Sequence, residues 1–213
     1  MDLVYLGKED PRYPPTLKIH LGAQAPKIFS VLGNLDLLQS KKLALFCSVK
    51  CPGNLILQTY DLVCSLRDAG TPVIGGFHSP MEKECLDILL RGKQPVLLAL
   101  ARSAEKIRIP ALWKKPLDEG RLLLLSPFDK KQSRITAESA LIRNRFVAAL
   151  ADAVFIAHAA PGGKMETLCR DILSRGKPLF TLQSEENAGL TALGAKPVRP
   201  DNALPLFHIP MSS

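Results

Sequence analysis

The sequence is poor in aromatic residues. They make up 6% of its 213 residues and include a single tryptophan. A platform of successive aromatic rings carrying a single-stranded nucleic acid is therefore at best a minor contributor to any binding. Its five cysteines, Cys47, Cys51, Cys64, Cys85 and Cys169, form no Cys-x-x-Cys pair and no Cys/His cluster at metal-ligand spacing, so no metal site is expected. Several lie in apolar runs and read as reduced, buried thiols of a cytoplasmic protein. The N-terminus, MDLVYLGKEDPRYP, lacks the basic start and apolar core of a signal peptide. No apolar run approaches the length of a membrane span. Paired carboxylates, a GxSxG elbow and a Ser/His/Asp order are all missing, which weighs against an enzyme. Glu82, Asp87 and Glu166 read as solvated helix carboxylates, and no cofactor is expected.

What is present is a basic chain with enough apolar residues for a core. Lysine and arginine number 28 against 20 acidic residues, a formal charge of +8, and 46% of the residues are hydrophobic. That balance favours polyanionic partners without requiring them. The length suits one α/β domain with a small appendage.

From residue 43 apolar runs alternate with helical spacing. Strands are expected at 43–47, 72–74, 95–100, 121–126, 153–157 and 178–182. Helices are expected at 55–68, 80–91, 109–117, 136–150 and 163–174. Ser79-Pro80-Met81-Glu82 reads as a capping box. Strands that alternate with helices and read as continuous apolar runs imply a parallel sheet covered on both faces. The expected fold is a Rossmann-like α/β three-layer sandwich with a mostly parallel sheet and a Pro-rich N-terminal arm. The arm covers 1–34 and packs on the domain, ending in a strand at 27–32. The Rossmann-like domain covers 35–196, and an irregular tail covers 197–213, with an edge strand near Phe207.

In such sheets ligands bind outside the carboxyl ends of the strands. Four loops therefore carry the candidate site. The first holds Ser48 and Lys50. The second holds Gly75, Gly76, His78 and Ser79; its glycines either admit a phosphate to backbone N–H groups or only form a tight turn. His78 is open to ligand contact, acid–base work or neither. The third holds Arg143, Asn144 and Arg145. The two arginines point in different directions on a helix and either flank a ligand or pair with Glu138 or Asp152. The fourth, Ala160-Pro161-Gly162-Gly163-Lys164, reads as a phosphate-binding turn. It lacks the first glycine of a Walker A loop and carries Met165 where Ser or Thr would hold Mg²⁺, which excludes ATP hydrolysis by that route.

These motifs, in this order, resemble the DprA/Smf family of DNA-processing proteins. The resemblance covers roughly residues 10–196. It runs from Asp10-Pro11-Arg12-Tyr13-Pro14 with Leu17, through Pro26 and Gly33-Asn34, to Ser48 in a Gly-Ser-Arg-like loop and Gly75-Gly76 in a Ser-Gly-like turn. Its most specific part is Arg143-Asn144-Arg145 with the small-residue helix after it; Ala188-Gly189-Leu190 and Gly194-Ala195 resemble the closing segment. It implies a homodimer that binds single-stranded DNA in a positive pocket and helps load a RecA-type recombinase during natural transformation. By position it makes Lys50, Arg143 and Arg145 the phosphate contacts, with Gly75, Gly76, Gly162 and Gly163 shaping the pocket. The chain departs from the pattern at Cys47 for glycine, Val49 for arginine and Leu86 near a usual histidine. Its second loop reads Gly-Gly-Phe-His-Ser-Pro-Met-Glu in place of Ser-Gly-Xaa-Ala-Xaa-Gly-Ile-Asp. The expectation is a short, divergent branch holding only the Rossmann-like part.

A second resemblance gives the alternative reading. Pro161-Gly162-Gly163 is similar to the Pro-Gly-Gly turn of lysine decarboxylase-like phosphoribohydrolases. That turn implies a nucleotide-binding protein or an enzyme acting on a nucleoside monophosphate.

Overall fold

A computed structural model describes residues 2–207. Nine strands form one sheet in the order β1-β2-β6-β5-β4-β3-β7-β8-β9. In chain order they are β1 (Val4–Gly7), β2 (Ile28–Gly33), β3 (Leu43–Phe46), β4 (Val73–Gly75), β5 (Val96–Ala99), β6 (Leu122–Ser126), β7 (Ala153–Ile156), β8 (Leu179–Leu182) and β9 (Lys196–Val198). The helices are α1 (Pro15–Leu21), α2 (Gly53–Asp68), α3 (Pro80–Leu90), α4 (Ala111–Asp118), α5 (Ala137–Leu150), α6 (Lys164–Ser174), α7 (Ala188–Leu193) and α8 (Ala203–Phe207). Strands β3 to β9 pair in parallel, as expected of β-α-β crossovers. Among the described residues no helix is long and apolar enough to cross a membrane.

Alternation along each strand sorts the core into two layers. Ala44 and Phe46 of β3 face one side with Leu97, Leu123, Val154 and Ile156, beneath α1, α5 and α6. Leu43 and Leu45 face the other side with Val96, Leu98, Leu124 and Phe155, beneath α2, α3 and α4. The arrangement is the expected three-layer α/β sandwich.

The N-terminal stretch holds more structure than its composition suggests. Strands β1 and β2 extend the same sheet, β2 running antiparallel to β6 and β1 antiparallel to β2. Helix α1 buries Leu17 and Leu21. Tyr13 meets the Phe29 ring edge-on at 5.5 Å, and Phe29 meets Phe146 of α5 at 5.4 Å. The Tyr13 hydroxyl donates to the Pro26 carbonyl at 2.7 Å. These contacts, absent from the local sequence pattern, order a segment interrupted by proline.

The C-terminal stretch differs from expectation at one point. The edge strand is β9, and Phe207 ends the short helix α8 instead of lying in a strand. Its ring sits edge-on to Phe180 at 5.2 Å and Phe155 at 6.3 Å, which places it over a face of the sheet and not along its edge. The rest of the tail, 208–213, lies outside the described residues.

Candidate functional site

The strand order creates a switch point at β3. The chain runs from β3 through β4 and β5 to β6 on one side, then returns to β7 on the other. Crevices at the carboxyl ends of strands flanking such a reversal are where open α/β sheets bind ligands. A cleft of about 400 Å³ lies there. It is lined by Cys47, Ser48, Val49 and Lys50 after β3, by His78, Ser79 and Glu82 after β4, by Ala140, Arg143 and Asn144 of α5, and by Ala160, Lys164 and Met165 after β7.

Of the residues expected at the site, Ser48, Lys50, His78, Ser79, Arg143, Asn144 and Lys164 converge on this cleft. Lys50, His78 and Lys164 are exposed at its rim, while Asn144 is half-buried. Arg143 forms the inner wall at 5% exposure. It donates to Asn144 Oδ1 at 2.8 Å and to the Ala99 carbonyl at 3.3 Å. Burial pulls its guanidinium below its ordinary pKa, and the charge of Glu82 opposes that shift.

None of the four glycines expected at the site is among the described residues that line the cleft. A methyl group on Gly76 would overlap the Arg143 guanidinium, so glycine there is a condition of Arg143's position. Phe77 follows with φ +44°, in the left-handed region rarely used by side chains of its size, and its ring packs against Gly75. In the fourth loop Gly162 adopts φ +68°, and its N–H donates to Glu166 at 2.7 Å. The Gly163 N–H donates to the Ala160 carbonyl at 3.0 Å. Both donors are thus engaged within the turn.

Arg145 lies apart. It faces away from the cleft and pairs with Asp171 of α6 at 3.4 Å, a partner it shares with Arg175. Glu138 and Asp152, the partners considered from the sequence, do not fill that role. Asp152 instead accepts the Lys42 N–H at 2.8 Å.

Glu82 corrects the expectation of a solvated carboxylate. It is 4% exposed. One oxygen accepts the Cys47 N–H at 2.8 Å; the other accepts the N–H groups of His78 and Ser79 at 2.8 and 3.1 Å. It thereby ties the loops after β3 and β4 together. The capping box revealed its bond to Ser79. Nothing in the local pattern pointed to Cys47, which is 35 residues away. Ser48 makes a similar tie, its N–H donating to the His158 carbonyl at 2.9 Å and its Oγ accepting the Ala160 N–H at 3.0 Å. Among the described residues no cluster of three or more metal-ligating side chains is assembled.

Fold and cleft together define an α/β protein of Rossmann-like architecture, with a cation-lined crevice at its topological switch. The model of the DNA recombination-mediator protein A family matches residues 4–196, and the chain belongs to that family. The fold is similar to that of DNA processing protein A from Streptococcus pneumoniae, with a TM-score of 0.79 and 20% identity over 99% of this chain and 76% of that one. It is also similar to DNA processing protein A from Helicobacter pylori, studied for its single-stranded DNA binding mode, with a TM-score of 0.77 and 21% identity over 97% of this chain and 95% of the other. The molybdenum cofactor carrier protein of Chlamydomonas reinhardtii shares the architecture more loosely, with a TM-score of 0.54 and 14% identity over 78% of this chain and 96% of that one. No protein with a curated description matches by sequence.

Proposed function

We propose that this DNA-processing family member binds single-stranded DNA by its phosphates, in the cleft at the carboxyl ends of β3, β4 and β7. The observation that carries this reading is the convergence of Lys50, Arg143 and Lys164 on one open crevice in which, among the described residues, Glu82 is the only carboxylate. Lys50 and Lys164 neutralise phosphates from the rim. Arg143, held by Asn144, supplies a fixed cation at the back, and Ser48, His78 and Ser79 offer polar contacts. Gly75, Gly76, Gly162 and Gly163 set the loop shapes, while Arg145 braces α5 against α6. In this reading the protein works in the cytoplasm as a homodimer and passes DNA to a RecA-type recombinase during DNA uptake.

The similarity of the H. pylori protein supports a polymeric ligand over a mononucleotide. So does the shape of the site, an open crevice with its lysines at the rim. The test is fluorescence anisotropy of labelled oligo-dT at two salt concentrations, with nucleoside monophosphates as competitors. Salt-sensitive binding that mononucleotides do not displace is the expected result. Failure to bind the oligomer overturns the reading and returns attention to a nucleoside monophosphate as ligand.

A further inference from the structure

Helix α5 serves two cavities. Ala140, Arg143 and Asn144 line the cleft. Ile142, Arg145 and Phe146, on another side of the helix, line a second cavity of about 300 Å³. That volume falls at the lower end of the range for small-molecule sites. Leu21, Pro127, Ile142 and Phe146 give it apolar walls, and Gln24 and Arg145 supply its polar groups. Phe146 is buried, whereas Ile142 is 42% exposed and belongs to the mouth. The proposed DNA contact uses none of these residues.

Charge around Arg145 does not balance. Leu21 and Arg145 also line a smaller neighbouring cavity, with His20, Asp171, Arg175 and Lys177. Among the described residues Asp171 is the only carboxylate there. Its Oδ1 already accepts both Nε and Nη2 of Arg175, at 3.0 and 2.9 Å. Arg145 keeps an ion pair with its Oδ2 at 3.4 Å, and the Arg145 Nε is buried without a hydrogen-bond partner. Two guanidiniums that share one carboxylate leave a surplus of one positive charge. Lys177 is taken by the carbonyls of Ala149 and Ala151. His20 is pulled below its ordinary pKa by burial and by the charges of Lys177 and Arg175, which marks the same positive potential.

We propose that the cavity between α1 and α5 binds a small amphipathic monocarboxylate, a hydrocarbon chain or ring that ends in a single carboxylate. The apolar body lies against Leu21, Ile142 and Phe146, and the carboxylate pairs with the Arg145 guanidinium. A planar guanidinium meets a carboxylate through parallel charge-assisted hydrogen bonds, which a neutral head does not reproduce. The single surplus charge matches a monoanion better than a phosphate dianion. Burial of apolar surface supplies affinity, and the charge supplies selectivity. This site is separate from the cleft and does not rest on the DNA-binding reading.

The experiment titrates the full chain with octanoate by ligand-observed NMR, with octanol, octyltrimethylammonium and acetate as controls. Octanoate should bind about tenfold more tightly than octanol, the difference that one charge-assisted pair supplies. The ammonium and acetate should not bind measurably. Ile142→Glu sets a carboxylate at the exposed mouth and should abolish octanoate binding. Arg145→Gln should bring octanoate down to the affinity of octanol and leave octanol as it was. Because Ile142 is exposed, its variant decides the site even if Arg145→Gln, which loses the brace between α5 and α6, fails to fold. Octanol that binds as tightly as octanoate overturns the anionic head. Octanoate that still binds Ile142→Glu, or that oligo-dT displaces, overturns the location. No binding of octanoate to the wild-type chain overturns the site.

Discussion

The guanidinium of Arg143 occupies the space that a side chain at Gly76 would need. One residue's absence of a side chain thus fixes another's charge at the back of the cleft. Gly76→Ala should push Arg143 aside and weaken oligo-dT binding about tenfold, or roughly 1.4 kcal/mol. Because both substitutions act through one group, Gly76→Ala combined with Arg143→Ala should bind no worse than Arg143→Ala alone. A double-mutant cycle by anisotropy checks this, and additive losses would separate the two residues.

Glu82 satisfies three backbone N–H groups in two loops. Glu82→Ala leaves them without their acceptor and should cost about 3 kcal/mol of stability. For a domain of this size that corresponds to a fall in Tm of roughly 6–12 °C. Thermal unfolding followed by circular dichroism measures it. A loss below about 1 kcal/mol would show that water replaces the carboxylate.

The rim lysines should register in the salt dependence of binding. Each phosphate neutralised on a single strand contributes about 0.7 to the slope of log K against log salt. Lys50→Ala and Lys164→Ala should each flatten the slope by about that amount. Arg145→Ala should leave it unchanged, since its guanidinium serves Asp171. A flattened slope in Arg145→Ala would place DNA along α5 and α6 as well.

Lys177 is buried beneath the end of α5, where its ammonium donates to the carbonyls of Ala149 and Ala151. Burial lowers its pKa from 10.5 to about 8. The folded state therefore holds fewer protons than the unfolded state between those values, and stability from this group rises as pH increases through that window. Below pH 8 the cost of burying the charge is fully present. Urea unfolding of wild type and Lys177→Met at pH 7.5 and pH 10 should show the wild type gaining on the variant at the higher pH. A constant difference would mean that Lys177 stays charged throughout.

The contrast between Glu82 and Arg145 shows how far the residues alone reach. Strands β3 to β8 were legible because each is a short apolar run bounded by turn signals, and a strand buried on both faces needs nothing else. The Ser79–Glu82 capping box was legible because its partners are three residues apart. The second bond of Glu82, to Cys47, and the pairing of Arg145 with Asp171 depend on which loops and helices become neighbours, which no local pattern encodes. Strand β1 and helix α1 were hidden for the same reason. Val4–Gly7 is a strand because β2 pairs with it, and α1 is ordered because Leu17 and Leu21 find a core. The opposite directions of Arg143 and Arg145 followed from helical spacing, but which of them faces the cleft did not.

The last strand of the sheet sets a boundary on how copies of this chain can meet. β9 is only three residues long, with Pro197 at its centre. Proline offers no N–H to an incoming strand, and so short a margin gives a second sheet little to align with. Growth by strand addition, the route to ribbons and fibrils, is discouraged at that flank. At that flank a pairing of two copies would have to be made through helices and loops.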